Sequence, residues 1–451
     1  MYFLIKRIIT PLLIFLVLCL PPHAAGAKQT GPSFIRDAEI EHTLRSYARP
    51  LFTAAGLNGD DVRLYIINSD DLNAFVAGGQ RMFMFRGLLE RVETPSQLKG
   101  VIAHETGHIA GGHLARTHDA LKNASIKSIV GMILGLAAAV AGGGDAGMAM
   151  MMGSQDAATK SFLQYSRTQE SSADQAAITY LDRTQQSGRG MMEFLEIIGR
   201  GQYQPQSTIA SYYRSHPVSS DRVSALTQRV NASPYRDTPD SAEDVIALKR
   251  MQAKLFGYTR PLPRVLREYP VSDTSVEARY ARAIAYYRYP DMTKALAEID
   301  SLIADFPGDP YFYELKGQAL YETGDIMGAI APLEAAVRLA PDEPLILTLY
   351  ATVLNATGNS EKALDILTES RLLDPNNGQT WDQLGIAYSR LGDTGMLAYS
   401  SAERYLLEGD AAKAIFHAER ALDFFKEGSP LYLRTQDIIT IAKQQQQTAR
   451  G

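Results

Sequence analysis

The chain has 451 residues, more than one hydrophobic core accommodates, because single cores seldom grow past about 250 residues. Lys and Arg number 45 against 50 Asp and Glu, the net charge is −5, and charged residues are 21% of the composition. That balance excludes the basic excess that nucleic-acid binding needs and the extreme charge of a disordered chain.

The first segment reads as an export signal. Lys6 and Arg7 give it a positive start, Ile8 to Leu20 form a mostly apolar run, and Pro21 and Pro22 end it. Ala25-Gly26-Ala27 supplies the small-x-small pattern of a signal-peptidase site, so residues 1–27 are predicted to be removed and the mature chain to start near Lys28. An apolar run of about 13 residues is short for a membrane span. The sole cysteine, Cys19, lies within this run after Leu18, where lipid attachment would need a small residue. The mature chain then has no disulfide and rests its predicted periplasmic location, with possible peripheral membrane association, on the signal.

Residues 28–230 show a mixed pattern. Asp37 to Ala55 carries Ile40, Leu44, Ala48 and Leu51 on one helical face, and Val62 to Ile67 reads as a strand. Gly78-Gly79 predicts a turn into a second strand, Met82 to Phe85, and Pro95 opens a helix through Leu98, Val101 and Ile102. Near 127–153 an apolar hairpin is predicted: Ile129 to Ala141 is continuously apolar, a glycine break follows, then Met148, Met150, Met151 and Met152. It reads either as core or as a surface element touching membrane or covering a cleft. Neither arm is long enough to cross a bilayer.

Residues 231–265 turn polar, with Pro234, Asp237, Pro239 and Asp240, and read as a linker or seam before Ser241 opens a new helix. Residues 266–442 repeat with a step of 34: Pro307, Pro341 and Pro375; Ala295, Ala329 and Ala363; Ala283, Gly317, Ala351 and Gly385. That is the period of tetratricopeptide repeats, in which small residues let paired helices approach and a proline ends each pair. Tyr313, Trp381, Leu333 and Leu367 are predicted to fill the gaps between neighbours. After Gly392 the next Gly-Asp pair, Gly409-Asp410, comes 17 residues on, half a repeat, so one helix should serve both neighbours. Such a solenoid offers its concave face to a peptide or partner protein, and residues 443–451 read as a polar tail.

The chemistry is concentrated in His104-Glu105-Thr106-Gly107-His108. At about 100° per residue, histidines four apart fall on one helix face, where both can reach one metal ion. Glu105 lies one step round, placed to take a proton from water beside that ion. A catalytic zinc site needs a third protein ligand. The stretch from Tyr165 to Asp174 offers Glu170 and Asp174, whose spacing leaves them nearly interchangeable; with Glu170 as the ligand, Asp174 would receive the free N–H of a bound histidine. His113, nine residues past His104, is predicted to turn to the far side of the helix and to orient the packing rather than bind zinc, and His118, His42 and His417 to be structural or solvated.

Together these features resemble the zinc peptidases related to the prenyl-protein protease and the heat-shock membrane protease, most closely the periplasmic β-barrel assembly-enhancing proteases. The resemblance is carried by Asn73-Ala74-Phe75 with Gly78-Gly79, by HETGH with His113 and Arg116, by Glu170 to Asp174, by His216-Pro217 with Arg222, and by the repeats. It implies a mainly α chain: a helix-rich α+β zincin peptidase domain followed by an α-solenoid. It also implies one zinc ion on His104, His108 and Glu170, Glu105 as general base, and Asp174 as proton donor or partner of a ligand. His216 is singled out, either as a further ligand that blocks the water position or as an oxyanion stabiliser.

The expected function is a zinc endopeptidase acting on unfolded or misassembled outer-membrane proteins, with repeats that bind substrate or the assembly machinery, and with the strand Met82 to Phe85 as an edge for substrate to join. The alternative is a chaperone or adaptor that works through the repeats with a structural zinc. An intact Glu105 weighs against it, because a structural site needs no base.

Overall fold

A computed structural model describes residues 33–113, 167–201, 212, 215, 216 and 218–450. The signal, the apolar hairpin near 127–153, Arg116 and His118 lie outside the described residues. Among the described residues are eighteen helices and one four-stranded sheet, and no helix is long and apolar enough to cross a membrane.

The chain opens with β1 (Phe34–Ile35) and α1 (Ala38–Ala54). Asp37 caps α1 by accepting from the Ile40 N–H at 3.0 Å, and Ile40, Leu44, Ala48 and Leu51 go into the core as their spacing predicts. β2 (Arg63–Ile67), β3 (Ala74–Ala77) and β4 (Arg81–Phe85) follow. The sheet order is β1-β2-β4-β3, with β4 parallel to β2 and antiparallel to β3. The expectation that Met82 to Phe85 forms an edge is therefore corrected. A crossover through β3 brings β4 back beside β2, so β4 is hydrogen-bonded on both sides and β3 takes the end position. Met82 and Met84 face the main core, while Phe83 stacks between Tyr65 and Phe75 at centroid distances of 5.1 and 4.8 Å.

After α2 (Arg86–Arg91), helix α3 (Pro95–Ala110) begins with Thr94 as its cap and Pro95 in its first turn. Against it pack α4 (Arg167–Arg183) and α5 (Arg189–Gly201), with α6 (Ser220–Ala232) beyond. Close approach explains two glycines of α3: a Cβ at Gly107 would lie 2.9 Å from the Ala173 carbonyl on α4, and one at Gly100 would lie 2.7 Å from Met191 Cβ on α5.

The polar stretch from residue 231 leads into α7 (Ala242–Thr259), capped by Ser241, and α8 (Leu262–Glu268). Leu248, Met251 and Leu255 of α7 belong to the first core, while Gly257 lets α9 (Val276–Arg288) approach from the other side. The repeat helices follow as α10 (Met292–Asp305), α11 (Pro310–Glu322), α12 (Ile330–Leu339), α13 (Pro344–Ala356), α14 (Ser360–Leu373) and α15 (Gly378–Leu391). Ala295, Ala329, Ala363, Leu333 and Leu367 are fully buried between helices. Leu333 fills the space left by the missing Cβ of Gly317. At the predicted slip, Gly392 and Gly409 bracket α16 (Thr394–Glu408), which packs on both α15 and α17 (Ala411–Leu422) before α18 (Pro430–Arg450) closes the stack.

The first repeats rest on the chain's own N-terminal region. Ala38 packs with Ile346 and Ala336, and the Tyr280 hydroxyl donates to Glu39 at 2.6 Å. Lys254 Nζ lies 2.8 Å from Asp37, Arg250 pairs with Glu39 at 2.7 Å and with Asp309 at 2.5 Å, and Arg36 meets Asp374 at 2.7 Å. The first repeats are thus partly covered by α1 and α7.

Candidate metal centre

Helix α3 turns His104 and His108 to one side, and α4 brings Glu170 opposite them. His104 Nε2 lies 3.1 Å from His108 Nε2 and 3.4 Å from His216 Nδ1. Glu170 Oε1 lies 3.3 Å from His108 Nε2 and 3.1 Å from His216 Nδ1. All four side chains are buried, and one donor atom from each lies within 4.8 Å of every other.

These separations test whether an ion fits. A tetrahedral zinc with bonds of about 2.0–2.1 Å holds its donors roughly 3.3 Å apart, and it favours imidazole nitrogen and carboxylate oxygen. Three ring nitrogens and a carboxylate, buried together, match in donor type; four of their six separations, at 3.1–3.4 Å, match in distance, and Glu170 Oε2 lies 3.6 Å from His104 Nε2. Glu105 adds a second sign: it is fully buried, neither carboxylate oxygen finds a hydrogen-bond donor among the described residues, and its nearest ion-pair contact is His216 Nε2 at 3.3 Å.

Spacing left Glu170 and Asp174 interchangeable, and packing separates them. Glu170 faces the ring nitrogens, whereas Asp174, one turn on, lies behind His104 with Oδ1 2.9 Å from its Nδ1. Arg222, from α6, holds Asp174 with two bonds of 2.8 and 2.9 Å and reaches Glu170 Oε2 at 2.7 Å. His216 is fixed by Tyr212, whose ring stacks on it at 4.7 Å, and by the Ala74 carbonyl of β3, 3.2 Å from Nε2. The sequence marked Arg222 as a neighbour of His216 without giving it a task, and nothing in the sequence signalled Tyr212.

His113 is a correction. It does not face away: its Nδ1 lies 3.0 Å from His108 Nδ1. The expectation assumed that the helix continues, but α3 ends at Ala110 and the chain folds back. His42 is largely exposed, 3.9 Å from Glu343, and His417 stacks on Tyr405, both away from the cluster.

Residues 35–230 match the profile of peptidase family M48, and residues 314–377 match a tetratricopeptide repeat. The chain carries an M48 peptidase domain followed by tetratricopeptide repeats. It is similar to the β-barrel assembly-enhancing protease of Escherichia coli K12, with 24% identity over 88% of this chain and 81% of that protein. The protein of that name from Yersinia pestis is 25% identical over 60% of this chain, which spans only 57% of that relative. The putative one from Vibrio cholerae is 25% identical over 88% of this chain and 81% of its own length.

Within the cluster, electrostatics set the four residues and their neighbours apart. Burial alone would raise Glu170, but His216 and hydrogen bonds with His104, His108 and His216 hold it well below the usual carboxylate range. Burial likewise opposes the charged form of Asp174, yet His104 and Arg222 keep its carboxyl low. Burial pushes Glu105 up, only partly offset by His216 and His104. Burial lowers His108 well below its ordinary value, the neutral form a metal needs. His104 is raised to about 10, because its bonds to Asp174 and Glu170 outweigh burial.

Proposed function

We propose that this chain is a zinc-dependent endopeptidase of the periplasm that degrades misfolded or misassembled outer-membrane proteins. The observation that carries the reading is a buried set of three imidazoles and one carboxylate whose donor atoms lie within 4.8 Å of one another, with Glu105 beside it and without a hydrogen-bond donor among the described residues. His104, His108 and Glu170 would hold one zinc ion, with His216 as a fourth donor in the conformation described. When bound, the ion supplies Lewis acidity, which polarises a scissile carbonyl and favours hydroxide near neutral pH.

The remaining work falls to this chain's side chains. Glu105, pushed up by burial, accepts the proton of the attacking water and returns it to the leaving amine. Asp174 receives the His104 Nδ1–H and keeps that ring turned to the cluster, while Arg222 balances both carboxylates so that neither needs protonation. Were His216 to serve as a fourth donor, it would occupy the place that water or substrate needs, and it would then act as a restraint that has to withdraw before cleavage. The names of the relatives support β-barrel proteins as substrates, and the repeats support binding of substrate or assembly machinery. On this reading residues 1–27 are the signal, 28–230 the peptidase and 266–442 the solenoid.

The test uses the purified full-length mature chain, with bound zinc and casein cleavage measured for wild type, Glu105→Gln and His216→Ala. Glu105→Gln should keep its zinc and lose about 10²–10⁴-fold in turnover; full proteolysis in that variant would overturn the mechanism. His216→Ala should cleave faster than wild type, and a loss of activity would assign His216 to catalysis instead. Barrel assembly that survives in Glu105→Gln would reveal the chaperone-like role beside the proteolytic one.

A further inference from the structure

Each histidine that offers Nε2 to the ion site must carry its proton on Nδ1, and that N–H needs an acceptor in a buried place. His104 has the Asp174 carboxylate, 2.9 Å away. At the Nδ1 of His108 stands the ring of His113, with Nδ1 at 3.0 Å and centroids 5.1 Å apart at 75°.

The end of α3 builds this contact. Gly111 closes the helix, and Gly112 takes the left-handed conformation at φ +61° that side chains avoid. His113 N–H then bonds back to the His108 carbonyl at 3.2 Å and Gly112 N–H to the Ile109 carbonyl at 3.1 Å, the paired bonds of a Schellman turn. The turn lays the His113 ring over Gly111, where a Cβ would lie 2.5 Å from its Nε2, so a side chain at that position would displace the ring. From α4, Gln169, next to Glu170, donates its Nε2 to the His113 carbonyl at 3.2 Å. His113 therefore touches two of the three segments that bring donors to the cluster, α3 and α4.

We propose that His113 is a positioning residue for the metal site: its Nδ1 accepts the His108 Nδ1–H, which fixes the tautomer and the ring plane that present His108 Nε2. The proton assignment follows from His108 Nε2 facing Glu170 and His104. His113 is not among the four residues whose donor atoms cluster. The inference rests on the metal-site reading above.

Zinc affinity is the direct readout, measured by chelator competition on the purified full-length mature chain, alongside the visible absorption of the cobalt-substituted chain. His113→Leu fills the space without an acceptor, and His113→Gln restores an acceptor oxygen. His113→Leu should weaken zinc binding about 10–100-fold, the usual effect of losing such a partner, and change the cobalt spectrum, while His113→Gln recovers most of the affinity. The metal-free melting temperatures of wild type and His113→Gln should coincide. Wild-type affinity in His113→Leu would overturn the proposal while leaving the metal site intact. Equal loss in both variants would overturn it too, since the acceptor would then be irrelevant. A wild-type chain that binds no zinc would instead refute the metal-site reading itself.

Discussion

Replacing Gly107 with alanine tests whether the packing of α3 on α4 sets the geometry of the site. The added Cβ would lie 2.9 Å from the Ala173 carbonyl oxygen and 3.0 Å from Ala173 Cα, against 3.4 Å for ordinary contact. Backbone cannot rotate aside as a side chain does, so α4 must retreat by about 0.5 Å, the difference between contact distance and the available space. Glu170 is one turn from Ala173 on that helix and moves with it. A displacement of about 0.5 Å is the limit that preorganised sites tolerate, and since a 1 Å error costs about 10²-fold in rate, we expect roughly tenfold losses in casein cleavage and zinc affinity. Stability should change less, because overpacking costs about 1–3 kcal/mol while alanine gains about 1 kcal/mol over glycine in a helix. The net is a loss of about 0–2 kcal/mol in urea unfolding. Gly100→Ala is the control: its Cβ would press on Met191 of α5, 2.7 Å away, and leave α4 alone. Wild-type zinc affinity and turnover in Gly107→Ala, or equal loss of zinc in Gly100→Ala, would refute the reasoning.

Asp174→Asn should weaken zinc binding by about 10–100-fold in chelator competition, because the His104 ring loses its anionic partner and Arg222 is left to pull on Glu170 alone. Removing the ion with a chelator should lower the melting temperature, and zinc titrated back should raise it with concentration, as for any ligand bound only by the folded chain; a flat titration would speak against a site of this kind. At the seam between α1 and the repeats, burial raises the Glu314 carboxyl to about 8 and Glu343 to about 7. Both are raised above their unfolded values, so the folded chain holds protons the unfolded one has lost. Stability is therefore fullest below about pH 4.5, as far as these two groups are concerned, and declines as pH rises through 7 and 8. Glu314→Gln should flatten the fall in urea midpoint between pH 6 and about pH 9; an unchanged slope would count against this account.

Two features were legible in the sequence because local periodicity determines them. The angle between His104 and His108 about a helix axis follows from a spacing of four, and the spacing of 34 between small residues and prolines fixes where repeat helices pair, including the slip at α16. Periodicity places a side chain around its own axis and says nothing of what lies across from it. Glu170 and Asp174 share one face of one helix, and only the approach of α4 to Gly107 decides that the first meets the imidazoles while the second goes behind them. His216 is 112 residues from His104, so its arrival depends on Tyr212 and the Ala74 carbonyl rather than on any motif spacing. The same limit applies to β4, which reads as an edge until the crossover encloses it, and to His113, which a continuous helix would point away. The packing of α1 against α7 and the repeats likewise follows from long-range pairing of Lys254 and Arg250 with their carboxylate partners, a balance of desolvation and pairing that exists only once the two parts of the chain are folded together.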